Sequence, residues 1–321
     1  MSESPAANTS AGGRAGNCVL FAMTSASDVS RTSLHKAARL AAALSAGLEL
    51  FYSAFDLDII HPGRFSPVSP EEAMRGYVEK RQKELWSLAE DLRATGLSVY
   101  PRVEWHRQAV EGIVREVLLR KPAFLIFESF GHVDYKLIET CPCPLLLIRS
   151  ARPYPSHPRI VAAVDPMHAH AKPAALDDAI VAAAAEVSNA LCGELHLFHA
   201  RRPWAIVSHQ ARGLQWVPDL AKDENQIAYE HGVESRVAEL AGCHNISCLR
   251  THLVDGDVTE CLPSFSRADA VDIVAMGALS RSLMQRILLG DTARQVLDHL
   301  ECDVLIVKQP GFQTSVTLPS S

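Results

Sequence analysis

One order of segments occurs twice in this chain, and that repeat constrains the fold more than any other feature. The runs CVLFAM (18–23) and RIVAAV (159–164) are short, apolar and typical of β-strands. Each is followed by a segment whose apolar residues recur at intervals of three and four, as on one face of a helix, and then by another short apolar run. The alternation continues through each half with a period of about 150 residues, the size of a whole domain.

Alternating strands and helices predict a parallel sheet with right-handed crossovers and helices on both faces. We therefore expect an α/β protein with two tandem Rossmann-like domains of flavodoxin-like strand order, each a five-stranded parallel sheet flanked by helices. The predicted division of the chain is a tail at 1–16, a first domain at 17–150, a linker at 151–158, a second domain at 159–312 and a tail at 313–321.

Composition excludes several classes of partner. Hydrophobic residues make up 48 % of the chain and charged residues 21 %, as in ordinary globular proteins, and no apolar run is long enough to span a membrane. The net charge of −6 comes without a basic patch, which argues against nucleic acid as a partner. The first residues lack the pattern of a signal peptide, and the eight cysteines do not form a disulfide framework, so we expect a cytoplasmic protein with reduced thiols.

The order of the segments also predicts where a ligand would bind. In open α/β sheets, ligands bind beyond the carboxyl ends of the strands, at the point where the strand order reverses. With the first strand central, that crevice lies between the ends of the first and fourth strands. In the second half these ends are VDPMHAH (164–170) and MGALSRS (276–282), so any ligand site is expected between these two segments.

The same segments resemble those of a known family. IVAAVD (160–165), a glycine-bearing loop after the fourth strand, and LLGDTARQVLDHLECDVLIVKQP (288–310) are similar to a universal stress protein domain. The resemblance is to the tandem, two-domain type and covers nearly the whole chain beyond its N-terminal tail. In such domains a loop of the form G-x2-G-x9-G-(S/T) holds the phosphates of ATP, and an aspartate after the first strand lies near the adenosine. The resemblance therefore implies a stress-response protein whose second domain binds adenine nucleotide or another small anionic ligand.

Position by position, Gly277 and Gly290 match two glycines of that loop, and Asp165 matches the aspartate. Ser280 replaces the middle glycine, and Asp291 stands where the family has serine or threonine. ATP or AMP is the implied ligand, with magnesium only if ATP binds. The implied site consists of Asp165, Met276, Gly277, Ser280, Arg281, Gly290, Asp291 and Thr292.

The departure at Asp291 leaves an alternative open. At the start of the helix DTARQVLDHL (291–300), an aspartate is a natural N-cap that satisfies the amides a phosphate would use, and its charge repels a phosphate. The first half departs further, because the segment between its last two strands is shorter, and we expect no nucleotide binding there. A nucleotide-independent interaction or scaffold protein is therefore the second hypothesis for function.

Histidines raise a third hypothesis, that of a metal-dependent enzyme. Asp165, His168 and His170 leave the first strand of the second half together, and His196 and His199 lie on the next strand. Residues three apart on a strand face opposite sides, so the last two are not expected to share one site. Solvated loop histidines are the favoured interpretation, with His168 and His170 as weak metal candidates. No catalytic motif occurs, and we expect no enzyme beyond slow ATP hydrolysis.

The resemblance also predicts how the two halves meet. In single-domain members the fifth strands commonly mediate dimerisation, so PLLLIRS (144–150) and DVLIVKQ (303–309) are expected to pair inside one chain as a pseudo-dimer. This pairing would cover two apolar edge strands. Further association into a homodimer stays open.

Overall fold

The structure is a computed structural model that describes residues 18–24, 30–60, 69–129, 132–167, 175–201, 224–278 and 291–318. The predicted N-terminal tail at 1–16 lies outside the described residues. None of the described helices is long and apolar enough to cross a bilayer.

Each half of the described chain contributes five strands with helices between them. The first half contains β1 (Cys18–Met23), α1 (Arg31–Ala43), β2 (Gly47–Ala54), α2 (Leu57–Ile60), α3 (Pro70–Arg93), β3 (Val99–Trp105), α4 (Ala109–Arg120), β4 (Phe124–Glu128), α5 (His132–Thr140) and β5 (Leu145–Ile148). The second contains β6 (Arg159–Ala163), α6 (Ala175–Ala190), β7 (Glu194–Arg201), α7 (Glu224–Cys243), β8 (Thr251–Asp255), α8 (Val258–Ala268), β9 (Ile273–Gly277), α9 (Asp291–His299) and β10 (Asp303–Val307).

All ten strands form one sheet in the order β3-β2-β1-β4-β5-β10-β9-β6-β7-β8. Within each half the strands are parallel, which confirms the predicted α/β architecture with two repeats. The predicted flavodoxin-like order was wrong, because each half has the order 3-2-1-4-5 of a Rossmann fold and not 2-1-3-4-5. After β1 the chain adds β2 and β3 on one side and then returns to add β4 and β5 on the other side. The alternation of strands and helices does not predict the side on which each new strand is added. In the observed order the direction reverses between the first and fourth strands, which is where the crevice was predicted.

The halves join where β5 and β10 pair antiparallel, with Leu145 opposite Ile306 and Leu147 opposite Val304. These side chains are buried, so each strand covers an apolar edge of the other. The predicted pairing of the fifth strands within one chain is therefore confirmed. Because the pairing is antiparallel, the carboxyl ends of the strands lie at one edge of the sheet in the first half and at the opposite edge in the second.

A buried ionic group reinforces this seam. Asp303, at the start of β10, is fully buried, and its Oδ2 accepts hydrogen bonds from Lys36 Nζ (2.7 Å) and Tyr154 Oη (2.6 Å). Its Oδ1 accepts from the backbone N–H groups of Arg149 and Ser150, both at 2.9 Å. Lys36 lies on α1 of the first half, so the pair links the two halves with the charges compensated on both sides.

The connection between the halves is fastened to α1. Arg39 donates hydrogen bonds to the carbonyl oxygens of Tyr154 (2.9 Å), Pro155 (2.7 Å) and Ser156 (3.0 Å). A fourth goes to the carbonyl of Leu191, beyond the end of α6 (3.2 Å). One guanidinium therefore holds both the linker and a helix of the second half.

Apolar residues form a core layer on each face of the sheet. One layer lies beneath α1, α3, α6 and α7, with Leu40, Leu85 and Val237 among its members. The other lies beneath α4, α5, α8 and α9, with Ile113 and Leu262 as examples. Both layers run across the seam, which is the arrangement expected for helices on two faces of a buried sheet.

Candidate functional site

The crevice of the second half lies where β6 and β9 end side by side. The two strands are paired in parallel, with Ala162 opposite Ala275. Asp165 follows β6, and Gly277 is the last residue of β9. The structure thus brings these two predicted residues to one edge of the sheet, at the point where the strand order reverses.

Asp165 is tied to the start of α6. Its backbone N–H donates to Asp177 Oδ1 at 3.2 Å, and Asp177 is buried within the first turn of that helix. Carboxylates are favourable near a helix N-terminus. The N-terminus of α6, the helix nearest to the crevice, therefore already carries a carboxylate from the chain itself. Sequence reasoning missed this contact because Asp177 is one of two adjacent aspartates in a helical segment.

Gly277 has a packing role that does not depend on any ligand. A Cβ atom at this position would lie 2.9 Å from Leu176 Cδ2 and 3.1 Å from Ile180 Cδ1, both on α6. The glycine thus lets α6 approach the end of β9 closely. The neighbouring Met276, predicted as part of the ligand loop, has a buried side chain in the core layer beneath α8 and α9, which leaves only its backbone for a ligand.

The helix that follows the loop starts at Asp291. Its side chain is exposed and lies in the first turn of α9, with Thr292 next to it. The helix is described from Asp291 onward, and the residue before it lies outside the described residues, so the N-cap role of Asp291 stays a prediction. A charge there still favours the helix and opposes a phosphate. Outside the described residues lie the predicted Ser280, Arg281, Gly290, His168 and His170.

The equivalent crevice of the first half contains a carboxylate. Glu128 ends β4 as Gly277 ends β9, and its Oε2 accepts a hydrogen bond from the backbone N–H of Ser30 at 2.8 Å. Ser30 is the N-cap of α1. A side chain thus occupies the position at a helix N-terminus where an anionic ligand would bind. Sequence reasoning missed this contact, although the replacement of a glycine by glutamate at the end of the fourth strand was visible.

The two strand histidines lie on opposite faces of the sheet, as predicted. His196 Nδ1 is 3.0 Å from His252 Nε2, and the rings are stacked with centroids 5.2 Å apart. Burial lowers the pKa of both histidines. His199 Nδ1 instead lies 3.0 Å from the carbonyl of Val164. Within the described part of the chain, no three His, Cys, Asp or Glu side chains come together in a way that could hold a metal ion.

The chain is a tandem Rossmann-like α/β protein. Its two doubly wound units are joined through their fifth strands, and each has a crevice at its carboxyl edge. Residues 157–308 match the model of the Universal stress protein family. The second half therefore resembles a universal stress protein domain, as predicted.

Relatives of known sequence extend the likeness to both halves. The chain is 24 % identical over 285 residues to universal stress protein E of Photorhabdus laumondii, covering 84 % of this chain and 88 % of the relative. It is 26 % identical over 265 residues to universal stress protein E of Escherichia coli K12, covering 78 % and 82 %.

Solved structures show the same fold. A functionally unknown protein from Pseudomonas aeruginosa PAO1 matches with a TM-score of 0.66 at 20 % identity and covers 92 % of this chain and 93 % of its own. A universal stress protein from Archaeoglobus fulgidus matches with a TM-score of 0.61 at 15 % identity, covering 91 % and 98 %. Both therefore share the two-domain architecture.

Proposed function

We propose that this chain acts as a universal stress protein and binds a small anionic ligand, with ATP or AMP as first candidates, in the crevice of its second half. The observation that carries the proposal is the difference between Glu128 and Gly277. The first crevice holds a carboxylate against Ser30 N–H, whereas the equivalent position in the second half has no side chain. A ligand that supplies the negative charge belongs in the second crevice.

The proposal also assigns the contacts of the ligand, the role of magnesium and the location of the protein. Asp165 would contact the adenosine, and the backbone after β9 would contact the phosphates. Magnesium would accompany ATP only, and any ATP hydrolysis would be slow. We place the protein in the cytoplasm and leave its protein partners to experiment.

A second candidate function is that of an interaction protein that acts without nucleotide. Asp291 favours it, because an exposed carboxylate in the first turn of α9 opposes a phosphate at that helix. The packing of Leu176 against Gly277 also explains that glycine without a ligand. The two candidates differ in whether nucleotide binds at all.

Calorimetric titration of the nucleotide-free protein with ATP and AMP, with and without magnesium, tests the proposal. We expect saturable binding, tightened about two- to fivefold by Asp291→Ser because one like charge near the phosphates is removed. Asp165→Asn should weaken binding, because it removes the carboxylate proposed to contact the adenosine, while the hydrogen bond from the backbone N–H to Asp177 is kept.

Glu260→Ser is the matched control for Asp291→Ser. Glu260 lies in the first turn of α8, so the substitution changes the net charge equally at a helix outside the crevice. It should leave the affinity unchanged. Absence of heat and of any thermal shift at millimolar nucleotide, in both the natural protein and Asp291→Ser, would reject nucleotide binding in favour of the interaction protein.

A further inference from the structure

Three cationic side chains close to the seam differ in the hydrogen-bond partners that they have. Lys36 donates to Asp303 and to the carbonyl of Ser150, both at 2.7 Å. Arg149, which follows β5, donates to the carbonyl of Leu297 at the end of α9. Lys308 follows β10 as Arg149 follows β5, but its Nζ is buried without a hydrogen-bond partner among the described residues.

The cover of Lys308 is an aromatic ring from the C-terminal segment. The residue is 9 % exposed, and its Nζ lies 4.8 Å from the centroid of the Phe312 ring. Among the described residues, one hydrogen bond, from Arg115 Nε to the carbonyl of Thr317 (3.3 Å), ties segment 309–318 to the rest of the chain. Val316 adds a contact with the core. The cover is thus held by few interactions, and opening it is a local event.

The surroundings of Lys308 raise the neutral fraction of its amine above that of an ordinary lysine. Burial lowers the pKa of Lys308 to about 8, although the charges of Cys141 and Glu139 act in the opposite direction. At pH 7.5 such an amine is roughly one quarter neutral, whereas an ordinary lysine with a pKa of ~10.4 is only about 0.1 % neutral. A neutral amine has a free electron pair and is the nucleophilic form.

We propose that Lys308 is an acylation site that reacts with small acyl donors carrying a good leaving group, acyl phosphates first among them, when Phe312 moves away. The Nζ electron pair attacks the acyl carbon, a C–N bond forms, and the C–O bond to phosphate breaks. Phosphate leaves with the bonding electrons, and the amine proton passes to solvent. The product is an uncharged amide that is longer than the amine, so Phe312 cannot return to its place over Nζ.

Acetyl phosphate is the probe for this reaction. The folded full-length protein is treated between pH 6.5 and 9.5, digested, and the acetylated fraction at each lysine is followed by mass spectrometry. At pH 7.5 we expect Lys308 to react about tenfold faster than the exposed Lys80, with a rate that levels off above pH 8. Lys36, which is buried but paired with Asp303, should stay unmodified.

Phe312→Ala tests whether the ring controls access. Its removal should raise the rate at Lys308 several-fold without changing the rate at Lys80, and circular dichroism confirms that the variant is folded. Two results would overturn the proposal. One is a Lys308 as unreactive as Lys36 in both proteins, and the other is a Lys308 that reacts no faster than Lys80 across the pH range.

Discussion

The faces beneath α4 and α8 occupy equivalent places in the two halves, yet their chemistry differs. Beneath α4, the buried carboxylate of Glu116 lies 2.8 Å from Arg120 Nε and 3.4 Å from Arg102, and Arg120 also reaches Glu49 at 3.2 Å. Strand registers and distances along the chain make three pairs of positions equivalent. These are Glu49 and His196, Arg102 and His252, and Glu116 and Phe265. Beneath α8 the result is an aromatic group, with Phe265 4.7 Å from the His252 ring.

The difference shows that the same backbone can hold either an ionic or an aromatic layer under the helix, provided that the side chains of the layer pair with one another. A single exchange between the halves would bury a charge without its partner or leave an aromatic ring among charges. The seam shows the same divergence, since the positions equivalent to Lys36 and Asp303 are Ala183 and Pro144. The halves are therefore no longer interchangeable copies.

The largest effect is expected from breaking the ionic pair on the seam. Asp303→Ala leaves the Lys36 ammonium buried without its counter-ion, which should lower the free energy of unfolding by about 3–5 kcal/mol. Urea denaturation followed by circular dichroism measures the loss. Glu239→Ala is the control, because its pair with Arg236 is exposed, and it should cost less than ~0.5 kcal/mol. Equal losses in the two variants would contradict the central role of the seam pair.

An intermediate effect is expected where the crevices differ. Glu128→Gln keeps the shape of the side chain but removes the negative charge of the carboxylate whose Oε2 accepts the hydrogen bond from Ser30 N–H, so stability should fall by about 1 kcal/mol. The same denaturation experiment applies, with Glu90→Gln on the exposed surface of α3 as the charge-matched control. If the two substitutions cost the same, the carboxylate does not stabilise α1.

The smallest effect is expected in the pH dependence of stability. His196 and His252 have pKa values lowered in the folded state, so the unfolded chain binds more protons as the pH falls through the region of the unperturbed histidine pKa, near 6.5. The contribution of the pair is thus present above that pH and lost below it. Glu194, Arg159 and Asp269 are the charged groups that act on the pair.

His252→Gln tests this contribution. The loss of stability between pH 7.5 and 5.5, measured by urea denaturation at each pH, should be smaller in this variant than in the natural protein. His231→Gln, at an exposed position on α7, should leave the pH dependence unchanged. A pH dependence that His252→Gln does not alter would assign the effect to other groups.

Sequence patterns were sufficient for the features that depend on local periodicity. The repeated strands could be predicted because apolar runs and chain order encode them. The pairing of β5 with β10 and the ligand loop at the crevice were predicted from the family resemblance. The strand order within each half could not be predicted, since alternation is the same for both orders. The contacts of Glu128 with Ser30 and of His196 with His252 link residues 98 and 56 positions apart, and only the strand register brings them together.

The antiparallel seam also determines how the two crevices can communicate. Since each half ends its strands at a different edge of the sheet, no small ligand can contact both Glu128 and Gly277. Ten strands at a spacing of about 4.8 Å place the outer strands β3 and β8 roughly 43 Å apart along the sheet. A mechanical displacement across β10 and β5 is one route by which occupation of the second crevice can affect the first. Asp303 binds the residues that directly follow β5, so a shift of β10 would be passed on to the carboxyl edge of the first half.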